Sequence, residues 1–136
     1  MTNVSLPRAA VAPERGRLMS GGQENLGAVK EFWQAWNDER LDDALRIYSP
    51  AARLRHLTHA IDVSGRDEIG ALMRGALALF PGRRSRCVNA YACGDVVVTE
   101  MHWEGTAAES GETRTADICY IFRFVNDQVV EQREYG

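Results

Sequence analysis

Residues 48–69 read YSPAARLRHLTHAIDVSGRDEI, and the order of elements within them decides the fold. The stretch opens at the end of a short amphipathic pattern in which Leu41, Ala44, Leu45 and Tyr48 share one helical face. Pro50 is expected to stop that helix, because proline lacks the amide proton and disfavours helix in the residue before it. Arg53 to Thr58 then alternates, which predicts a strand with Leu54, His56 and Thr58 on one face and the two arginines on the other. Ser64-Gly65-Arg66-Asp67 reads as a turn into a further helix, with Ser64 or Asp67 as its cap. A titratable imidazole near the middle of a short strand is where a small fold can set chemistry inside its core.

Upstream, Leu26, Val29, Phe32, Trp33 and Trp36 recur at helical spacing from Glu24 onward, and Asn37-Asp38-Glu39 interrupts them. Residues 1–23 contain Pro7, Pro13, Gly16, Gly21 and Gly22 and no apolar segment of a secretory signal, so they are expected to form a mobile arm. Downstream, Ile69, Leu72, Met73, Ala76, Leu77 and Phe80 form a helical stripe closed by Pro81-Gly82. The remainder reads as strands: Arg86–Ala92, a turn at Gly94-Asp95, Val96–Thr106, Thr115–Val125, a turn at Asn126-Asp127, and Gln128–Tyr135. Helices followed by a meander of strands predict an α+β domain over residues 24–136, with three N-terminal helices on one face of a curved antiparallel sheet.

Composition narrows the function. The chain has 136 residues, 45% of them apolar, enough for one core. No apolar run is long enough to span a bilayer. The net charge of −3 gives no reason to expect a nucleic-acid partner. The one local basic run, Arg83-Arg84-Ser85-Arg86, reads as a solvated turn. Lys30 is the sole lysine. Cys87, Cys93 and Cys119 lack metal-ligand spacing and are expected to be small buried hydrophobes in a reducing cytoplasm. The three histidines have no accompanying carboxylate spacing that argues for a metal.

Several short segments resemble the NTF2-like superfamily, in its SnoaL-like polyketide cyclase and ketosteroid isomerase-like branch. They are Tyr48-Ser49-Pro50-Ala51-Ala52, Gly65-Arg66-Asp67-Glu68-Ile69, Gly94-Asp95-Val96-Val97-Val98, Gly105-Thr106 and the final pair of strands from Phe124 to Tyr135. The resemblance covers about residues 24–135 and is specific for the fold rather than for a reaction. It implies a cone of bent sheet wrapped by helices, an apolar pocket at the cone mouth, and a homodimer formed through the outer, convex sheet face.

The resemblance also nominates residues. His56 stands where ketosteroid isomerase-like members carry a carboxylate base, and an imidazole with a pKa near 6.5 suits that work. The two donors that hold the enolate oxygen in those members are matched here by Phe32 and Tyr120, so that pair is not reproduced, although Tyr120 retains one phenol. The arginine and first aspartate of limonene epoxide hydrolase-like members are matched by Met101 and Trp103, and Glu134 alone stands in for the second acid. Asp117 is the acid of its strand, the part of the sheet where SnoaL-like cyclases place an acid/base. By alternation it faces away from Tyr120 unless a bulge intervenes. His59 and His102 are expected at the surface or an interface. Phe32, Trp36, Tyr48, Met73, Leu77, Phe80, Met101, Trp103 and Tyr120 are expected to line the pocket.

Two functions follow. One is a cofactor-independent cyclase, isomerase or dehydratase acting on an apolar, polyketide- or steroid-like carbonyl compound. His56, assisted by Asp117, Glu134 and Tyr120, would carry it. The other is a non-catalytic domain that binds a small apolar ligand or a protein partner.

Overall fold

The computed structural model describes residues 15–136, with side chains from residue 22 onward. Residues 1–14, and with them most of the expected arm, lie outside the described residues. The elements run α1 (Arg15–Asn37), α2 (Leu41–Leu45), β1 (Tyr48–His56), β2 (Ile61–Ser64), α3 (Arg66–Leu79), β3 (Arg84–Cys93), β4 (Val96–Thr106), β5 (Thr113–Val125) and β6 (Gln128–Tyr135). The long strands at Val96–Thr106 and Gln128–Tyr135 have the expected bounds. Helix α1 begins earlier than Glu24 and runs through Gly21 and Gly22, which were expected to interrupt it.

All six strands form one sheet in the order β2-β1-β6-β5-β4-β3. Four of the five pairings are antiparallel, but β1 and β6 run parallel, so the sheet is mixed rather than antiparallel. The β1–β2 hairpin precedes α3, so the helices do not all come before the strands. The chain crosses back through α3 to the far edge at β3, and the last strand closes between β1 and β5.

Two elements around the opening segment differ from expectation. Helix α2 ends at Leu45, and Pro50 sits inside β1. The β1–β6 ladder is irregular between Tyr48 and Arg53, which is where a strand tolerates a residue with no amide to donate. Strand β2 was not anticipated; its four residues alternate half-buried and exposed, too short to stand out from a turn. At the start of α3, neither Ser64 nor Asp67 caps the helix with its side chain. Gly65 holds φ 92°, which a side-chain-bearing residue resists, and its amide donates to the Ala52 carbonyl at 2.7 Å. Glu68 reaches back to accept the Ser64 amide at 2.9 Å, and this satisfies a donor at the helix start.

The core lies between the helices and one sheet face. Val29, Phe32, Trp33 and Trp36 of α1 and Ile69 and Met73 of α3 bury against Tyr48, Leu54, Val97, Met101, Tyr120 and Phe122. Phe122 is fully buried, with Phe32 and Trp33 edge-on to it at 5.8 and 6.3 Å and Tyr120 stacked at 6.2 Å.

The basic run is not a solvated turn at Arg83, which is 1% exposed. Its guanidinium lies 4.2 Å from the centre of the Trp36 ring, donates to the Trp36 carbonyl, and pairs with Glu39 at 3.2 Å. Asn37 and Ser85 add a reciprocal pair of hydrogen bonds of 2.9 and 2.8 Å. A planar cation over an indole, with its donors turned to carbonyl and carboxylate, fixes the end of α1 to the start of β3. The cysteines also depart from expectation: Cys87 and Cys93 are exposed on edge strand β3, and Cys119 is half-buried on β5.

Candidate active site

The helices cover the sheet incompletely, and a cavity of about 220 Å³ opens between them. Phe32, Trp33 and Trp36 of α1 and Leu72, Met73 and Ala76 of α3 form its helical wall. The sheet contributes Tyr48, Leu54 and His56 of β1, Ile61 of β2, Trp103 of β4, Ile118 and Tyr120 of β5, and Gln132 and Glu134 of β6. Tyr48, Leu54, Phe32 and Gln132 are the most buried of these, while Ile61, Leu72, Ala76, Trp103 and Ile118 are half-exposed and form the rim.

The polar groups of this apolar chamber converge. Registration of β1 on β6 sets His56 beside Glu134, and registration of β5 on β6 sets Tyr120 on the other side of the same glutamate. His56 Nε2 is 3.8 Å from Glu134 Oε1. That is too long for a direct hydrogen bond and short enough for a substrate atom to contact both groups. Glu134 Oε2 accepts from Gln132 Nε2 at 2.7 Å, and Gln132 Oε1 accepts from the Tyr48 hydroxyl at 2.5 Å. This chain, Tyr48 to Gln132 to Glu134, occupies Oε2 as an acceptor and leaves Oε1 to carry the acid proton towards His56.

Burial sets the charge states. Desolvation pushes the Glu134 carboxyl up to about 7, against the hydrogen bond from Gln132. Desolvation lowers the His56 imidazole below its usual 6.5, and His59, whose ring centre is 4.5 Å away, lowers it further. His56 Nδ1 is buried without a hydrogen-bond partner among the described residues. Burial and the nearby Glu134 raise both the Tyr48 and Tyr120 phenols well above 10, so both remain donors. Just below neutral pH the centre therefore holds a neutral imidazole beside a carboxyl that keeps most of its proton.

The sequence-nominated residues divide cleanly. His56, Glu134, Tyr120, Phe32, Trp36, Tyr48, Met73 and Trp103 all line the cavity. Met101 is buried in the core, Leu77 is half-buried against it, and Phe80 stands behind Trp103; none of the three lines the cavity. Asp117 lies on the opposite sheet face, with its side chain 86% exposed and bonded at 2.8 Å to His102. The β4–β5 register runs without a bulge from Val96 to Thr106, so alternation holds and Asp117 is removed from this centre. Trp33, Leu54, Ile61, Leu72, Ala76, Ile118 and Gln132 also line the cavity and were not nominated. Trp33 was visible in the α1 stripe. Gln132 becomes legible only through the register of β6, two residues before Glu134 on the same face. Among the described residues, no group of three or more His, Cys, Asp or Glu side chains is arranged to hold a metal ion. No described helix is long and apolar enough to cross a membrane.

A model of the SnoaL-like domain matches residues 29–132. Among solved structures, the chain is similar to a candidate SnoaL-like polyketide cyclase from Jannaschia sp. CCS1, at 21% identity over 84% of this chain and 85% of that one, with a TM-score of 0.76. It is also similar to an LEH-like epoxide hydrolase of M. tuberculosis, at 18% identity over 84% and 83% of the two chains, TM-score 0.73. A third match is a protein of ketosteroid isomerase-like fold from Catenulispora acidiphila in complex with trimethylamine, at 15% identity over 80% and 84%, TM-score 0.74. At these identities the three structures show the shared fold and no more. The chain matches no functionally curated protein.

Proposed function

This chain belongs to the SnoaL-like domain family, and from that premise we propose that it is a cofactor-independent cyclase, isomerase or dehydratase acting on an apolar carbonyl compound in the 220 Å³ cavity. The observation that carries the proposal is the His56–Glu134 pair, 3.8 Å apart in an apolar chamber. His56 Nε2 takes a proton from the carbon next to the substrate carbonyl. The C–H electron pair becomes the enol double bond, and Glu134 Oε1 gives its proton to the carbonyl oxygen. The resulting imidazolium and carboxylate attract each other strongly in low-dielectric surroundings, which stabilises the charge that develops. Return of the imidazolium proton to a different carbon completes an isomerisation. Its delivery to a β-hydroxyl that leaves as water completes a dehydration. Attack of the enol on a second carbonyl of the same molecule closes a ring, the imidazolium protonating the new alkoxide. In each case the enol O–H proton returns to Glu134 as the carbonyl re-forms. Tyr120, on the same wall, supplies a second donor to the oxygen.

The pH profile tests the pairing. Activity requires neutral His56 and protonated Glu134, so the rate is bell-shaped, with an alkaline limb near 7 and an acid limb below 6.5. Glu134→Gln abolishes the alkaline limb; survival of that limb in the variant removes Glu134 from the mechanism. Stability gives an independent readout. The folded carboxyl holds its proton to about 7, whereas the unfolded one releases it near 4.5, so the wild type loses stability as pH rises from 4.5 through 7. His56 opposes this, because its lowered folded pKa adds stability as pH rises to 6.5. The glutamine variant therefore gains on the order of 2 kcal/mol relative to wild type between pH 4.5 and 7.5 in urea titrations.

The same family reading extends to assembly. Val88 and Tyr135 are exposed, and Cys119 and Ile121 half-exposed, on the sheet face that carries Asp117. We place the expected homodimer contact there. Sedimentation velocity is expected to give a dimer, and Ile121→Arg a monomer.

A further inference from the structure

Trp103 is the largest half-exposed side chain on the cavity rim, and the sequence builds a seat for it. Its ladder partners are both small, Ser85 on β3 and Ala116 on β5. Two residues further along the same face is Gly105, where an added Cβ would lie 2.7 Å from the far edge of the Trp103 ring. Real Cβ atoms do not approach so closely, so the indole occupies space that only glycine leaves free. Phe80 meets the ring edge-on at 5.0 Å and fixes it from the helical side. A large, immobilised ring therefore stands at the outer end of a chamber whose inner end is sealed by Tyr48, Phe32 and Gln132.

The chamber is half open to solvent, and the volume within it is modest. Pockets for drug-sized ligands run from about 300 to 1,000 Å³. An apolar cavity of about 150 Å³ is matched by a single benzene ring. At about 220 Å³ and the close packing of a protein interior, the chamber accommodates on the order of ten non-hydrogen atoms. A four-ring steroid nucleus exceeds that and could enter only by extending out past the immobilised Trp103 ring at the rim. From the seat and the volume we infer that Trp103 is the size-determining residue of this site, and that its substrate is a compact, one-ring carbonyl compound rather than a fused polycycle. The inference rests on the acid–base reading above for the carbonyl and on the cavity alone for the size.

Calorimetric titration of the intact chain with 4-tert-butylcyclohexanone, the corresponding alcohol and a four-ring steroid ketone tests it. Wild type is expected to bind the one-ring ketone at least tenfold more tightly than the steroid. Trp103→Ala is expected to bind the steroid at least tenfold more tightly than wild type does. Gly105→Ala, which displaces the indole without deleting it, is expected to change one-ring affinity at least threefold. Steroid binding by wild type equal to one-ring binding overturns the size assignment, and so does a size order unchanged in both variants. If the one-ring ketone and alcohol bind in the expected size order but the ketone never exchanges its α-proton, the size assignment stands and the acid–base reading falls. If the steroid binds wild type and is turned over, the reverse holds. If neither ring size binds, both fall.

Discussion

His56→Ala lowers turnover of a carbonyl substrate by about 10²- to 10⁴-fold, the range contributed by a positioned general base. The loss falls on kcat, because the imidazole edge is a small part of a wall formed by aromatic and aliphatic side chains. The fold is expected to survive. His56 makes no hydrogen bond through Nδ1 among the described residues, so truncation strands no buried partner there. The alanine leaves a gap of roughly imidazole size beside Glu134, and free imidazole added to the assay is expected to restore part of the rate. Deuterium exchange at the substrate α-carbon separates base removal from loss of binding. Exchange at the wild-type rate in the variant would assign the base to another group, whereas no exchange in the wild type would favour the non-catalytic ligand-binding reading.

Arg83→Ala costs about 3 kcal/mol and lowers Tm by about 10 °C. A desolvated cation–aromatic contact contributes about 2 kcal/mol. The truncation also removes one of the two hydrogen bonds that the Trp36 carbonyl accepts, the other coming from the Glu39 amide at 3.1 Å, at about 1 kcal/mol. Arg83→Lys recovers only part of this, since an ammonium cannot lie flat on the indole while donating in two directions. Because Trp36 is also a cavity wall, both variants are expected to weaken ligand binding as well as folding. Thermal melts and calorimetry on the three proteins give the order wild type, lysine, alanine. A lysine variant as stable as wild type would show that charge alone matters at this position.

The fold was legible because its strongest signals are local. The aromatic stripe of α1, the apolar stripe of α3 and the alternation of β4 and β5 each follow from a period that a short window contains. What escaped was set by distant partners. Strand β2 has four residues and acquires its identity by pairing with β1. Parallel pairing of β1 with β6 leaves no mark in either segment. Arg83 sits in a run of three arginines, and composition cannot say which one a tryptophan will cover. The site was half legible for the same reason. His56 was conspicuous as the titratable group of a short strand, and Asp117 as the acid of another, yet register sends one inward and the other out. Glu134 was nominated only as a remnant of another mechanism. Its elevated proton affinity comes from burial, against the hydrogen bond from Gln132, and no residue count reveals it.

The parallel ladder between β1 and β6 also governs how this protein comes into being. His56 is supplied early in synthesis and Glu134 late, and Gln132, which orients the acid, arrives with it. Contacts spanning most of a chain form slowly, because the ends must be brought together before any pairing rewards them. On a ribosome, the edges of β1 and β5 that β6 will pair stay open until β6 emerges to join the two halves of the sheet. The His56–Glu134 pair thus exists only once β6 has joined the sheet, and a nascent or truncated chain that lacks β6 has neither a continuous sheet nor this carboxyl.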